Sequence, residues 1–276
     1  MSLRKILRGL TPPALTEFYR RARGDFESPW EGVYKHYRDV PASGGGYESA
    51  AVVSAMAEHT RKLKETLAAG LESGEEFDGD NILLPLLAAG TAEGRPVRIL
   101  DFGGGMGEGY LRLKAAMAGP VEYHIVELER NCAEGRKIFE GAGDITFHSA
   151  LPTGLEKVDI VHINSALQYI EDYAGLLGRL AEYGPLHILL VRLSAVEVPT
   201  FAAMQKNLEG TRLPYWFFEL GEISRFLGGK GYRLVYKKPA AKQYPQDGLP
   251  PGHRLPGGRM SNLLFSRSGA GTGSGN

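Results

Sequence analysis

Residues 99–110, with the sequence ILDFGGGMGEGY, combine an apolar run with an acidic residue and a cluster of glycines. The apolar run ends at Asp101, and five glycines follow closely, at Gly103, Gly104, Gly105, Gly107 and Gly109. Glycine tolerates left-handed backbone angles and lets the chain approach a bound molecule closely. A buried strand followed by such a turn and a helix is a common setting for a cofactor site, so this segment is the first candidate for chemistry.

Two phosphate-binding patterns do not fit this turn. A P-loop has a lysine and then a serine or threonine, but counted from Gly103 these positions hold Gly109 and Tyr110. A dinucleotide-binding turn has a third glycine where this chain has Glu108, whose carboxylate would face a pyrophosphate. The turn is therefore expected to hold a ligand without phosphate groups. NAD, which has a pyrophosphate, is the second candidate for the cofactor.

The remaining pattern, Gly103-x-Gly105-x-Gly107 preceded by Asp101, resembles the first motif of class I S-adenosylmethionine-dependent methyltransferases. The resemblance implies S-adenosylmethionine as cofactor and S-adenosylhomocysteine as product. This cofactor has no phosphates and carries cationic sulfonium and ammonium groups, which nearby carboxylates stabilise. Glu127 ends the next predicted strand, where a carboxylate can accept hydrogen bonds from ribose hydroxyls.

The strand ends and one N-terminal segment complete the predicted cofactor site. The third strand of this fold usually ends beside the adenine, and the fourth predicted strand ends at Asn164, just before Ser165. The segment GGGYES either closes over the methionine portion or is an ordinary turn before a helix. The predicted cofactor-binding residues are Tyr47, Asp101, Gly103, Gly104, Gly105, Gly107, Glu127, Leu128, His148, Ser149, Asn164 and Ser165.

Several segments resemble, in the same order, a family of methyltransferases often encoded among surface-polysaccharide biosynthesis genes. They lie between about Trp30 and Tyr236: PWEGVY, GGGYESAAV, ILDFGGGMG, IVELERNCAEG, INSALQYIED, VRLSAVEVPTFAAMQ and GYRL. The resemblance implies methylation of a sugar, a glycan or a related small molecule, with a hydroxyl acceptor as the leading interpretation. An O- or N-methyltransferase of a secondary metabolite, and a non-enzymatic membrane-associated scaffold with a vestigial cofactor site, are the alternatives.

A hydroxyl acceptor needs a group that takes its proton. Candidate catalytic residues are His148, Tyr169 and Arg192 near predicted strand ends, and His253 in a later loop. Tyr169 is either a base or a wall over the cofactor, and a tyrosine pKa near 10 favours the wall. Arg192 either anchors an anionic group or forms an ordinary salt bridge. His162 is predicted to be a buried histidine with satisfied hydrogen bonds. The predicted substrate-binding residues are Gln168, Tyr169, Arg192, Gln205, Tyr215 and Trp216.

Alternating strand and helix patterns must position these residues. From VRILDFG onward, apolar strand runs alternate with helical periodicity, which predicts crossover connections and a parallel sheet. The last two predicted strands, YRLVYKK and SNLLFSR, have no helix between them and should pair antiparallel at one edge. We therefore predict an α/β fold with a doubly wound, mainly parallel, seven-stranded Rossmann-like sheet and an N-terminal helical extension.

The predicted organisation has four parts. Residues 1–28 form a basic amphipathic arm, residues 29–92 a helical extension or cap, residues 93–267 the Rossmann-like domain, and residues 268–276 a disordered tail. The arm carries six basic residues against one acid up to Gly24, which favours either contact with an anionic membrane surface or packing on the domain or a partner subunit.

The overall composition disfavours or excludes several classes of function. The 276 residues have a formal net charge of zero, which, with no N/D/S-P-P-Y/F motif at Asn164-Ser165-Ala166-Leu167, disfavours a nucleic-acid substrate. The single cysteine, Cys132, excludes a disulfide framework or a cysteine-based metal site, and no metal is expected. No apolar run is long enough to span a bilayer. A cytoplasmic protein is expected, either free or at the inner face of the membrane.

Overall fold

The computed structural model describes residues 28–44, 46–70, 79–92, 94–155, 157–206 and 211–268. The helices are α1 (Ala50–Ala68), α2 (Leu83–Thr91), α3 (Glu108–Ala116), α4 (Glu129–Ile138), α5 (Tyr173–Glu182) and α6 (Leu220–Gly229). The strands are β1 (Trp30–Tyr34), β2 (Val97–Phe102), β3 (Val121–Val126), β4 (Ile145–His148), β5 (Ile160–Asn164), β6 (His187–Leu193), β7 (Ala195–Val196), β8 (Phe201–Gln205), β9 (Leu213–Glu219), β10 (Tyr232–Gln243) and β11 (Arg259–Arg267).

Seven strands form one large sheet in the order β10-β11-β6-β5-β2-β3-β4. The five strands from β2 to β6 pair in parallel, whereas β11 pairs antiparallel with both β6 and β10. The predicted seven-stranded, mainly parallel sheet with an antiparallel edge pair is therefore confirmed. The strand order reverses at β2, between β3 and β5, and such a reversal opens a crevice at the carboxyl ends of the strands.

Helices cover both faces of this sheet. On one face α1, α3 and α4 pack residues such as Ala57, Leu113 and Cys132 against Ile99 and Ile160. On the other face, α5 and α6 contribute leucines and isoleucines to a second cluster around the sheet. Because the central strands are covered on both sides, their sequences are continuous apolar runs rather than alternating ones.

A smaller sheet with the order β1-β8-β9-β7 lies beside the large one. Strand β1 pairs antiparallel with β8, which in turn pairs antiparallel with β9. Trp30 of β1 is fully buried and packs edge-on against Phe217 of β9. The segment predicted as a helical extension thus begins with a strand, because the apolar face of β1 is buried by a hairpin far away in the sequence.

The basic arm and the glycine-rich tail fall almost entirely on residues 1–27 and 269–276, outside the described residues. In the ranges that the structure describes, no helix combines the length and apolar composition that crossing a bilayer requires.

Asp159, just before β5, connects the amino ends of β5 and β2 through its side-chain hydrogen bonds. Its two carboxylate oxygens each lie 2.7 Å from a guanidinium nitrogen of Arg95, and Oδ2 also accepts from the backbone N–H of Arg98 at 2.9 Å. Burial opposes ionisation of this fully buried side chain, but these donors outweigh it and hold the pKa of Asp159 below its usual value.

We expect Asp159→Asn to lower the free energy of unfolding by about 2–3 kcal/mol at pH 7, because a bidentate charge-assisted contact is lost. Since the folded pKa lies below the unfolded value, this contribution is present above pH about 4 and disappears as pH falls through the folded pKa. Urea unfolding at several pH values measures it. The exposed Asp39→Asn control should change stability by less than about 0.5 kcal/mol; an equal effect of both variants would contradict the assignment.

Candidate functional site

The glycine turn connects β2 to α3 through three left-handed residues. Gly103, Gly105 and Gly107 have φ values of 69°, 58° and 98°. The N–H of Gly103 donates to the carbonyl of Val126 at 2.8 Å, which fixes the turn to the end of β3. A Cβ at Gly104, whose backbone is not left-handed, would lie 2.5 Å from Asp101 Oδ2. Glycine is thus required at positions 103, 105 and 107 by the backbone angle and at position 104 by the close approach of Asp101.

Above this turn lies a cleft of about 240 Å³ at the carboxyl ends of β2, β5 and β6. Helices α1 and α2 and the residues just before α2 form its opposite wall. The lining residues are Met56, Asp80, Asn81, Leu84, Asp101, Gly103, Gly104, Gly105, Glu108, Gly109, Arg112, His162, Asn164, Ser165 and Arg192. The structure therefore brings together the glycine turn, the ends of β5 and β6, and Arg192. Four other predicted cofactor-binding residues are not among those that line the cleft: Tyr47, Gly107, Glu127 and Leu128.

The floor of the cleft contains a buried carboxylate with two donors. Asp101 Oδ2 accepts from the hydroxyl of Tyr123 at 2.6 Å, and Oδ1 lies 2.8 Å from Nδ1 of His162. Because an ionised carboxylate only accepts, Nδ1 of His162 carries the proton. Burial and the adjacent Asp101 carboxylate raise the pKa of Tyr123 well above its usual value, so its hydroxyl remains a donor. His162 is buried, as predicted, but it also lines the cleft.

Glu127 follows β3 directly and is held in place by its neighbours. Its Oε1 accepts from the backbone N–H of Leu128 at 2.9 Å and from Nδ2 of Asn131 at 3.0 Å, while Oε2 lies 3.4 Å from the N–H of Gly105. These contacts direct the carboxylate towards the glycine turn. Leu128 is 39% exposed and can offer an apolar surface beside it.

His148 and Ser149 end β4, next to Glu127, but they do not line the cleft. The carbonyl of His148 accepts from the backbone N–H of Glu127 at 3.0 Å, and its Nε2 lies 3.1 Å from Nδ1 of His124. Burial lowers the pKa of His148, and His124 and Arg136 lower it further. With one ring nitrogen engaged by His124, His148 supports the end of β3 rather than facing the cleft.

Arg192, the last but one residue of β6, has an unusual backbone conformation, with φ of 54°. Its N–H donates to Oδ1 of Asn262 at 2.9 Å, its carbonyl accepts from Nε2 of Gln168 at 2.6 Å, and its Nε lies 3.1 Å from Oδ2 of Asp80. Asp80 also accepts from Nδ2 of Asn262 at 2.6 Å. Arg192 therefore forms a salt bridge with Asp80 and also lines the cleft. The side chain of Gln168 holds the backbone carbonyl of Arg192.

Ser165 shares this conformation at the end of the adjacent strand, also with φ of 54°. Among the described residues, Ser165 and Arg192 are the two non-glycine residues with positive φ, and both line the cleft. Left-handed backbone costs about 1–3 kcal/mol for such residues, and it concentrates at functional sites. The strain marks this side of the cleft as the candidate acceptor wall.

Tyr169 belongs to a tyrosine cluster beside this wall. Its hydroxyl donates to Oε1 of Gln205 at 2.8 Å and lies 2.9 Å from the hydroxyl of Tyr47. Burial is the main cause that raises the pKa of Tyr169 well above its usual value, and the neighbouring Tyr47 and Tyr215 add to it. The phenol therefore stays neutral, which disfavours Tyr169 as a base, and Tyr169 is not among the residues that line the cleft.

Replacing Tyr169 by phenylalanine should lower the free energy of unfolding by about 1–3 kcal/mol, because the hydrogen bonds with Gln205 and Tyr47 are both lost. The dissociation constant for S-adenosylmethionine should change by less than about threefold, because the ring is retained. Chemical denaturation and calorimetry measure both. Tyr34→Phe is the control, since the Tyr34 hydroxyl forms no hydrogen bond within the described part of the chain. Normal stability with complete loss of methyl transfer would instead make Tyr169 a base.

Three other predicted residues lie away from the cleft. Tyr215 is 1% exposed, and its hydroxyl contacts Oγ of Ser194 at 2.5 Å. Trp216 packs on the other face of β9, with its ring centroid 5.4 Å from that of Tyr37. His253 packs edge-on against Phe201 at 5.0 Å. None of the three lines this cleft. Tyr215 and Trp216 are buried in apolar clusters, whereas His253 is half-buried.

Several lining residues escaped the sequence analysis. Asp80 and Asn81 lie in a polar stretch with no motif, and Met56 and Leu84 belong to ordinary amphipathic helices. The only sequence signal for Arg112 is its spacing of four residues from Glu108, with which it forms a 3.3 Å ion pair. Among the described residues, no group of histidine, cysteine, aspartate and glutamate side chains has a metal-binding arrangement.

A scan against protein-family models and a search of curated proteins give no match to the sequence. Among solved structures, the chain is similar to the 1,6-didemethyltoxoflavin-N1-methyltransferase of Burkholderia thailandensis, with 15% identity over 82% of this chain and 93% of that chain, and a TM-score of 0.49. It is also similar to an S-adenosylmethionine-dependent methyltransferase of Mesorhizobium loti, with 19% identity over 69% of this chain and 99% of that chain, and a TM-score of 0.48.

A third similar structure is the magnesium protoporphyrin IX methyltransferase of Synechocystis PCC 6803 with bound S-adenosylmethionine. Its identity is 16% over 82% of this chain and 87% of that chain, and its TM-score is 0.44. At this identity the likeness concerns the fold, so function has to be argued from the cleft itself.

Proposed function

We propose that the protein is an S-adenosylmethionine-dependent methyltransferase that methylates a hydroxyl group of a sugar, a glycan or a related small molecule. The observation that carries the cofactor assignment is the glycine turn between two carboxylates, Asp101 below it and Glu127 at its side. The described lining residues include no lysine. Such a turn suits a ligand that is cationic and has no phosphates.

The residues present fit this cofactor. Glu127 would accept from the ribose hydroxyls, the turn at Gly103 and Gly105 would let the backbone approach the ligand, and Leu128 would offer an apolar surface to the adenine. Asn164 and Ser165 extend the site from β5. When bound, S-adenosylmethionine supplies a methyl group already activated by its sulfonium. The chain's task is then to hold the acceptor in line with it, which can supply much of the acceleration.

The acceptor is proposed to lie against Arg192 and Ser165, where the strained ends of β5 and β6 meet Asp80. The class of acceptor rests on the resemblance to methyltransferases encoded among polysaccharide genes. We propose residues 29–92 as a cap on the Rossmann-like domain of residues 93–267, because Met56 and Leu84 complete the cleft wall.

A screen of methyl transfer from methyl-labelled S-adenosylmethionine to nucleotide sugars and glycan fragments tests this function. We expect label in a sugar methyl ether. Label on a nitrogen or on a non-sugar acceptor would contradict the acceptor class. Cofactor binding without transfer to any acceptor would favour a scaffold with a vestigial site over an enzyme.

We further propose that the basic arm, up to Gly24, contacts the inner face of the membrane in the cytoplasm. Its cationic residues would be attracted to anionic lipids over a distance of about 10 Å at 0.1 M salt. Sedimentation with anionic liposomes should retain the full chain at low salt and release it at high salt. Absence of binding at low salt would contradict this role.

A further inference from the structure

The outer strand of the large sheet, β10, carries only positive charges. From residue 230 to residue 259 the sequence has seven lysines and arginines but a single acid, Asp247, although the whole chain has a formal net charge of zero. Five of these cations lie on β10 or just before it, and all five are exposed. We call them the basic edge: Lys230, Arg233, Lys237, Lys238 and Lys242.

Carboxylates of the protein do not neutralise most of this charge. Within the described part of the chain, Lys230, Arg233, Lys237 and Lys238 form no ion pair with a carboxylate. Exposed lysines on α1, α3 and α4 differ, because each lies within 3.0 Å of a carboxylate oxygen: Lys62, Lys114 and Lys137. The basic edge therefore presents charge that an external anion can neutralise.

Protection of an exposed strand does not explain this pattern. Charged side chains on an edge strand oppose pairing with another chain, and so does a bulge such as the one between Leu234 and Tyr236. Either sign of charge would serve that purpose, yet β10 has no acidic residue. Lys237 and Lys238 are neighbours on the strand and point to opposite faces, and their long side chains can both reach the outer edge. An extended anionic surface fits this distribution better than a small anion.

The basic arm joins the domain beside the same edge. The described chain begins at Ser28, and a Cβ added to Gly248, in the loop after β10, would lie 3.0 Å from the Cβ of Ser28. The ring centroid of Trp30 is 5.2 Å from that of Tyr244, and Nζ of Lys242 lies 5.2 Å from the same Tyr244 ring. The arm, with six basic residues against one acid, is therefore attached next to the basic edge.

We propose that the basic edge is a second membrane-contact surface, which binds anionic phospholipid headgroups together with the arm. A bilayer surface is extended and uniformly anionic, so it needs no fixed spacing of the cations. Val235, which is 42% exposed, adds an apolar contact between them. The N–H of Ala241 donates to Oδ1 of Asp80 at 3.1 Å, so contact along this edge would hold the cleft beside the lipid surface.

Cosedimentation of the full chain with vesicles of phosphatidylcholine and phosphatidylglycerol tests the basic edge. Each cation held at an anionic bilayer surface contributes a factor of about five in affinity. The variant Arg233→Gln/Lys237→Gln/Lys238→Gln should therefore bind these vesicles about 100-fold more weakly than the wild type. Lys237→Arg/Lys238→Arg keeps the charge and should bind within about twofold of the wild type.

The matched control removes the same charge from the paired lysines of the helices: Lys62→Gln/Lys114→Gln/Lys137→Gln. It should change vesicle affinity by less than about threefold. Thermal unfolding should show that all variants fold, because every substituted residue is exposed. An equal loss in the control would show that net charge alone matters and would overturn the proposal.

Other outcomes would also overturn it. Unchanged affinity of the triple basic-edge variant would favour neutralisation of these cations by the acidic residues at positions 72–78. Tighter binding of the wild type to duplex DNA than to anionic vesicles would assign the basic edge to a nucleic acid.

The proposal extends the membrane contact of the arm, so the two are tested separately. Arg4→Gln/Lys5→Gln/Arg8→Gln changes the arm alone. Wild-type vesicle affinity of this variant would refute the role of the arm and leave the basic edge in place. Methyl transfer without vesicles does not depend on either surface, so failure of the proposed enzymatic function would be seen independently.

Discussion

Glu127→Ala is expected to weaken S-adenosylmethionine binding by about 100-fold. The carboxylate is positioned by the N–H of Leu128 and the amide of Asn131, at 2.9 and 3.0 Å, so it needs little reorganisation to accept from two ribose hydroxyls. A hydrogen bond to a charged group contributes about 1.5–3 kcal/mol, and losing one or two of them gives a loss of this size. The fold should survive, because Glu127 is partly exposed.

Titration calorimetry with S-adenosylmethionine measures this loss, and thermal unfolding without ligand checks the fold. Glu129→Ala is the matched control: its side chain is 62% exposed and pairs with Arg136 on the surface of α4. The control should bind the cofactor within about twofold of wild type. Equal affinities of Glu127→Ala and wild-type protein would remove Glu127 from the cofactor site.

Gly103→Ala is expected to have a large effect on both stability and cofactor binding. The residue has φ of 69°, which costs an L-residue about 1–2 kcal/mol. In addition, its Cβ would lie 2.3 Å from the Cβ of Ala166 at the end of β5, so one strand end must move. Such overpacking adds about 1–3 kcal/mol. We therefore expect a total destabilisation of about 2–5 kcal/mol and a cofactor affinity reduced at least tenfold.

Gly141→Ala separates the two causes. Gly141 has φ of 83° but no atom within 4 Å of the added Cβ, so this variant reports the backbone cost alone. Urea unfolding of both variants should show a larger loss for Gly103→Ala. Identical losses, together with unchanged cofactor binding by Gly103→Ala, would show that the turn is not the closely packed ligand cradle described above.

The large sheet could be predicted because its local signals agree. Buried parallel strands such as β2 and β5 are continuous apolar runs, and the helices between them have clear periodicity. The edge pair followed from the absence of a helix between β10 and β11. The small sheet could not be predicted, since β1 and β8 pair across more than 160 residues and nothing local in either strand specifies its partner.

The functional site likewise has a part that could be predicted from the sequence and a part that could not. The turn from Gly103 to Gly107 could be predicted because its backbone angles restrict the residue type. The position of Asp80 in the cleft could not be predicted, because it depends on Asn262 and Arg192, which contact Asp80 only in the folded chain. Tyr215 and Trp216 show why residue type alone does not assign a substrate contact. Rings suited to stacking on sugars are equally suited to a core, and both side chains are buried in the folded chain.

The central claim is that the cleft holds S-adenosylmethionine through a turn that does not bind phosphates. Titration calorimetry of the wild-type chain with S-adenosylmethionine and, separately, with NAD tests it most directly. The structure predicts saturable one-to-one binding of S-adenosylmethionine and no binding of NAD. Binding of NAD without binding of S-adenosylmethionine would contradict the claim.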